Sequence, residues 1–193
     1  SSLLLTLSTL ASGRPEMVPN GGFELADGDG PAFWEPRTPS DSARDMLWAE
    51  GMGHTGERSL QIVSRTPQPS RWRTGQIGDI CPKPEAEREL SGWIKTTGVE
   101  GRAYLRLYCM DPGGQILSQP DTTAVSGDSD WTRVTLKHHV PAGTAYAMIY
   151  LELNGPGTAY YDDVQLAAEP AAELSPAAAR PVLYSPADFW DLR

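Results

Sequence analysis

A chain of 193 residues is about one domain long and can bury a core without disulfides to hold it. A formal charge of −9 argues against a nucleic-acid backbone or an anionic membrane as partner, and suits neutral ligands such as glycans, or divalent cations. Nineteen glycines, seventeen prolines and no long charged helical pattern favour an all-β chain rich in turns.

Residues 1–16 open the chain as an apolar segment, uncharged through SSLLLTLSTLAS and too short to span a bilayer. Two readings stay open: the end of a secretion signal or membrane anchor, or an exposed strand that adds to a neighbouring subunit. Both put the protein outside the cytoplasm, secreted or at a cell-surface or periplasmic site. Asn20-Gly21-Gly22-Phe23-Glu24 then begins the folded part, with Phe23 as an apolar anchor beside the Glu24 carboxylate. The distant stretch Tyr160 to Leu166 reads as a strand carrying Asp162 and Asp163, and the two ends are expected to meet, pair as strands and share a cation. From Phe23 to Arg44 the chain is turn-rich. Asp27 and Asp29 lack the further ligands and distal Glu of a calcium loop and read as a plain turn. Trp34 is expected to pack over the edge of the core.

Strands follow at regular spacing. Met46 to Glu50 is short, and Ser59 to Ser64 alternates cleanly after the turn Gly53-His54-Thr55-Gly56. Trp72 to Ile80, Leu90 to Thr96, Ala103 to Met110, Trp131 to Val140, Ala145 to Leu153 and Thr158 to Leu166 complete the set. Each is bounded by Gly, Pro, Asp or Asn, which supply turn geometry. Residues 17–168 therefore read as one β-sandwich, and 169–193 as an Ala/Pro-rich linker with an aromatic tail. Cys81 and Cys109 allow one bridge or two thiols, and spacing does not choose between them.

Alternation sorts the middle strands into faces. Leu105, Leu107 and Cys109 oppose Tyr104, Arg106, Tyr108 and Met110; Ala147, Ile149, Leu151 and Leu153 oppose Tyr146, Met148, Tyr150 and Glu152. In Leu90 to Thr96 the outward pair is Trp93 and Lys95. The outward set is rich in aromatics, which stack on sugar rings, with Lys95, Arg106 and Glu152 available to hydroxyls. The opposite reading is that aromatics are ordinary strand formers and another segment covers the face. Trp72 and Trp131 read as packing residues. No nucleophile elbow, zinc-protease helix motif or phosphate loop is present, and adjacent His138 and His139 face opposite ways along a strand. His54, in a turn, reads as solvent-exposed.

The ordered pieces Asn20-Gly21-Gly22-Phe23-Glu24, Gly56-Glu57-Arg58-Ser59-Leu60, Leu90 to Thr96, Asp111 to Gly114, Asp130-Trp131 and Tyr161 to Val164 together resemble the galactose-binding-like jelly-roll domains, and among them carbohydrate-binding modules of the family 4/9/22 type. The resemblance implies a sandwich of two antiparallel sheets with its first and last strands adjacent. It also implies a structural calcium held by Glu24, the Ser59 neighbourhood and Asp162 or Asp163, and a glycan groove on one sheet. Because Val164 and Leu166 share parity with Asp162, that residue is the one expected to turn inward. The function expected is non-catalytic binding of carbohydrate; the alternative is a structural or assembly subunit contacting neighbours through its N-terminal strand and C-terminal tail.

Overall fold

The computed structural model describes residues 18–75 and 80–168, and every regular element in them is a strand. The apolar opening segment, the C-terminal linker and tail, and part of the expected strand Trp72 to Ile80 lie outside the described residues. Among the described residues no helix is long and apolar enough to cross a membrane. β1 (Ala26–Asp27) and β2 (Gly30–Pro31) make a small hairpin around the plain Asp27–Gly30 turn. The remaining strands are β3 (Trp34–Pro36), β4 (Arg44–Glu50), β5 (Arg58–Ser64), β6 (Ser70–Thr74), β7 (Glu87–Met110), β8 (Ile116–Ser118), β9 (Val125–His139), β10 (Tyr146–Asn154) and β11 (Gly157–Ala168).

β7 is the spine. The two strands expected at Leu90 to Thr96 and Ala103 to Met110 are halves of this one 24-residue strand. Its first half pairs with β11 on one edge and β9 on the other. Its second half pairs with β10 and β8. Two antiparallel sheets result, β4-β5-β11-β7-β9 and β3-β6-β10-β7-β8, sharing the bent strand. The halves close on each other: a Cβ on Gly92 would sit 3.0 Å from Leu105 Cδ2. Leu60, Ile62, Leu90, Ile94, Leu105, Leu107, Ile149 and Leu151 fill the interior between the sheets, all fully buried or nearly so. Apolar side chains of that size each gain about 1.5–3 kcal/mol on burial, which makes this layer the main source of stability. Cys109 is a buried thiol in the same layer and Cys81 an exposed one, so the pair is not bridged.

At the bend, β7 runs beside the link from β10 to β11. Gly101 lies so close to this neighbour that a Cβ would stand 1.9 Å from the Asn154 carbonyl oxygen. Only a residue without a side chain lets both paths turn the corner together.

The Asn20–Glu24 segment is a turn and not a strand. Asn20 and Phe23 have φ of 49° and 59°, and the Asn20 side chain bonds the backbone of Leu25 and Ala32 at 2.9–3.0 Å. Asn tolerates the left-handed region, which explains its place here. Phe23 is fully buried and meets Trp34 edge-on at 5.1 Å. The expected meeting of the Asn20–Glu24 and Tyr160–Leu166 stretches does occur. Val164 N donates to Gly21 O at 2.9 Å, and a Cβ on Gly21 would lie 2.0 Å from the Val164 carbonyl oxygen. One hydrogen bond, not a strand ladder, joins them.

A β-bulge between Asp162 and Gln165, with Asp163 at φ 50°, changes the parity of β11. Tyr161 opposes Ile94 in the core, so Asp162, opposite Trp93, projects on the outer side of its sheet. Asp162 is nevertheless fully buried, because the turn at His54–Thr55 folds over it. Sequence parity gave the right burial for the wrong reason. His54 N and Thr55 N donate to Asp162 Oδ2 at 2.6 and 3.1 Å, and Asp163 N donates to Oδ1 at 2.7 Å. Burial, the largest influence, pushes this carboxyl up to about 7; the amides pull downward and the Asp163 charge adds to the rise.

Two outcomes follow. Gly101→Ala should cost roughly 3 kcal/mol or more, against about 1 kcal/mol for Gly98→Ala, whose added Cβ meets nothing within 4 Å; paired thermal melts of the two variants measure this. The raised Asp162 acid binds its proton more tightly folded than unfolded, so its contribution is fullest below its ordinary value of 3.8 and is lost as pH climbs to about 7. In chelator, the melting temperature of the wild type relative to Asp162→Asn should fall over that window and level off above it. A difference that rises instead would mean the amides dominate.

Candidate functional site

The outer face of the β3-β6-β10-β7-β8 sheet carries a cleft. Register places Met148 opposite Tyr108, Tyr150 between Arg106 and Arg73, and Glu152 between Tyr104 and Arg71. The Tyr108 and Tyr150 rings lie 4.7 Å apart, tilted by 58°. With Arg37, Arg71, Met110 and Met148 they line an open cleft of about 400 Å³, edged by Thr38 and Ile116.

One end of this face is closed by a polar network. Glu152 has no exposed surface, and Tyr104 is 1% exposed. Tyr104 Oη donates to Glu152 Oε2 at 2.9 Å, Arg71 Nε lies 3.1 Å from the same oxygen, and Arg106 Nη1 lies 3.4 Å from Oε1. Arg106 also forks onto Asp121 at 2.5 and 3.0 Å, and this pairing, the largest influence, holds its proton more firmly than usual. Burial, then the Glu152 charge, pushes the Tyr104 phenol up to about 12. Asn154 Nδ2 donates to Tyr104 Oη at 2.9 Å. Removing one partner of a buried charge pair costs about 3–5 kcal/mol, so this network fixes its arginines rather than yielding to a ligand.

The residues expected on a single outward face therefore separate. Arg106, Tyr108 and Tyr150 stay together and partly exposed. Tyr104 and Glu152 lie on that side but under cover, and Tyr146, 9% exposed, is nearly so. Trp93 and Lys95 belong to the other sheet, because β7 has turned its corner between Lys95 and Tyr104. Trp93 is not a free platform: the His54 ring stacks on it at 3.9 Å, and Trp131 meets His54 edge-on at 5.6 Å. His54 is thus held in place rather than solvated, with Nδ1 2.7 Å from Asp163 Oδ2. Lys95 pairs with Asp130 at 3.1 Å. Arg37 and Arg71 were not foreseen. The signal for Arg71 was present, since a buried Trp72 sends Arg71 and Arg73 outward, whereas Arg37 sits in a turn-rich stretch without alternation.

Of the acids expected to hold calcium, Glu24 and Asp162 clamp the same turn. Glu24 Oε1 accepts Glu57 N and Arg58 N at 3.0 and 2.9 Å, and Asp162 accepts His54 N and Thr55 N. Asp163 is engaged by His54 and by Thr55 Oγ1 at 2.6 Å. Ser59 is fully buried, and among the described residues its hydroxyl has no hydrogen-bond partner. The carbonyl oxygens of Thr55, Gly56 and Arg58 converge within 2.7, 2.9 and 3.1 Å of the point where a Gly53 Cβ would lie. Among the described residues no three His, Cys, Asp or Glu side chains cluster as metal ligands, so any cation here would lean on carbonyls beside Glu24 and Asp162.

No family model matches the chain. Curated relatives include the tRNA nuclease WapA of Bacillus subtilis strain 168, 26% identical over 165 residues, and the tRNA3(Ser)-specific nuclease WapA of Bacillus spizizenii, 25% identical over the same length. The match takes in 80% of this chain but only 7% of those relatives, so the chain spans a small part of their length. Among solved structures, the CBM22-1 xylan-binding domain from Paenibacillus barcinonensis Xyn10C aligns with TM-score 0.57 and 17% identity, over 82% of this chain and 97% of that domain. The enzymatically active domain of bacteriophage CBA120 tailspike protein 4 aligns with TM-score 0.61 and 15% identity, over 79% of this chain and 21% of that one. At such identities the shared property is the fold. The bent β7, the two antiparallel sheets and the contact of Gly21 with Val164 give this chain a jelly-roll β-sandwich fold, the architecture it shares with the CBM22-1 domain.

Proposed function

We propose that this domain binds carbohydrate without chemically altering it, as a module of a larger extracellular protein. The observation that carries the reading is the cleft in which Tyr108 and Tyr150 stand beside Arg37 and Arg71 on one sheet face. An apolar face of a sugar ring rests on the tyrosines and the Met110 and Met148 side chains, while the guanidinium groups donate to ring hydroxyls. The buried Glu152 network supplies preorganisation: Arg71 and Arg106 are ordered before ligand arrives, so less rotamer freedom is lost on binding. The nuclease activity named for the WapA relatives belongs to proteins of which the matched part is 7%, and no catalytic step is assigned to this segment. The small share of those relatives is what supports a module within a longer chain. The assembly-subunit alternative rests on the two terminal segments, which lie outside the described residues.

Calcium forms part of the same proposal. Glu24, Asp162 and carbonyls near Ser59 would hold it, with Asp163 bracing the turn through His54 and Thr55. Such a cation would favour the ionised form of Asp162 that burial disfavours. Its service is structural, tying the His54–Arg58 turn to the first and last stretches of the domain through Glu24 and Asp162.

Two measurements test these points. In titrations against plant and bacterial wall polysaccharides, Tyr108→Ala and Tyr150→Ala should each weaken retention about tenfold while melting as the wild type does. Retention unchanged in both variants removes the cleft from consideration. Saturating calcium should raise the melting temperature by about 5 °C over the chelator-treated protein, and Glu24→Gln should abolish the increment. Identical melts with calcium and chelator would rule the cation out.

A further inference from the structure

We infer that the ligand of the cleft carries negative charge, and specifically that it is a glycan bearing carboxylate groups, such as uronic-acid units; this rests on the carbohydrate-binding reading above. The whole chain has a formal charge of −9, yet this one face runs the other way. Arg71 and Arg73 project from β6, Arg102 and Arg106 from β7, and Arg37 from the loop after β3. Against these five stand three carboxylates, and each is already committed. Glu35 takes Arg73; Asp121 takes Arg106, with Arg102 3.6 Å away; Glu152 takes Arg71 at 3.1 Å and Arg106 at 3.4 Å. Two positive charges remain in excess.

The excess has a place. Arg37 is exposed, and among the described residues it pairs with no carboxylate. It is not a wandering side chain on an unanchored loop, because Arg37 N and Thr38 N both donate to Arg71 O, at 2.9 and 3.3 Å. That bond pair seats the Arg37 backbone directly beside β6, and Arg37 and Arg71 both line the cleft. No Asp or Glu lines the cleft with them. A neutral sugar needs donors and acceptors in mixture, whereas this wall offers planar cationic donors without an acidic acceptor. Guanidinium forks match a carboxylate or phosphate oxygen pair. The tyrosines opposite them favour a sugar ring as the carrier of that group, and the acidic remainder of the surface disfavours a polyanion as long as a nucleic acid.

The experiment compares calorimetric titrations of neutral xylo-oligosaccharides, oligosaccharides of matched length carrying glucuronic or galacturonic acid, phosphate-bearing glycans, and a transfer RNA. Each is run at ~20 mM and ~0.5 M salt, where screening lengths differ severalfold. The uronic-acid ligand should bind about tenfold more tightly than its neutral counterpart at low salt, with most of that margin lost at high salt. Arg37→Gln should collapse the margin, and Arg37→Lys should restore part of it, separating charge from fold damage. Equal affinity for neutral and acidic oligosaccharides at low salt overturns the inference and leaves carbohydrate binding standing. Preference for the phosphate-bearing glycan over the uronic acid overturns the carboxylate assignment, and binding of transfer RNA alone overturns both this inference and the carbohydrate reading. Failure of every glycan to bind does the same.

Discussion

The structure depends on one strand serving two sheets. β7 gives its first half to β9 and β11 and its second to β8 and β10, and Leu105 from the second half packs on Gly92 from the first. That arrangement exists because the chain can turn twice in the same small space, once at Gly101 and once in the link from β10 to β11. The contact there leaves no room for a side chain. Hydrophobic burial supplies the energy of the sandwich, but the corner decides that the buried residues belong to one interior and not to two exposed sheets.

The same bend decides what can be a binding surface. Trp93 and Tyr104 sit in one strand, and alternation read within each half separately makes both of them outward. The corner sends them to different faces. On one face the His54 turn lies over Asp162 and stacks on Trp93, closing that side with a histidine and a second tryptophan. On the other, a network of buried charge occupies one end and leaves Tyr108 and Tyr150 open at the other. Burial of Glu152 among Tyr104, Arg71 and Arg106 is expensive in isolation, and its three partners are what make it tolerable.

Much of the architecture was readable in the chain because strands announce themselves by alternation and their ends by turn residues. Ser59 to Ser64, Ala103 to Met110 and Thr158 to Leu166 needed no more than that. The meeting of Gly21 with Val164 was also legible, since paired glycines before an apolar anchor mark a close backbone approach. What escaped was long-range. Nothing local says that Leu90 to Met110 is one strand with a corner. Nothing in Asp162-Asp163-Val164 shows the bulge, which moves one residue out of register and thereby reverses the side on which Asp162 emerges. Coverage escaped too: the turn that hides Trp93 lies almost forty residues upstream of it, and Arg37 reaches the cleft only through a backbone bond to Arg71.

The shared strand also governs how the molecule can come apart. In a sandwich of two independent sheets, one layer can loosen while the other persists. Here any separation of the layers must unpair β7 from β10 or β11 and uncover Leu105 and Gly92 together. Separating the layers therefore costs strand pairing along β7 as well as the shared apolar interior, which couples the two sheets into one cooperative unit.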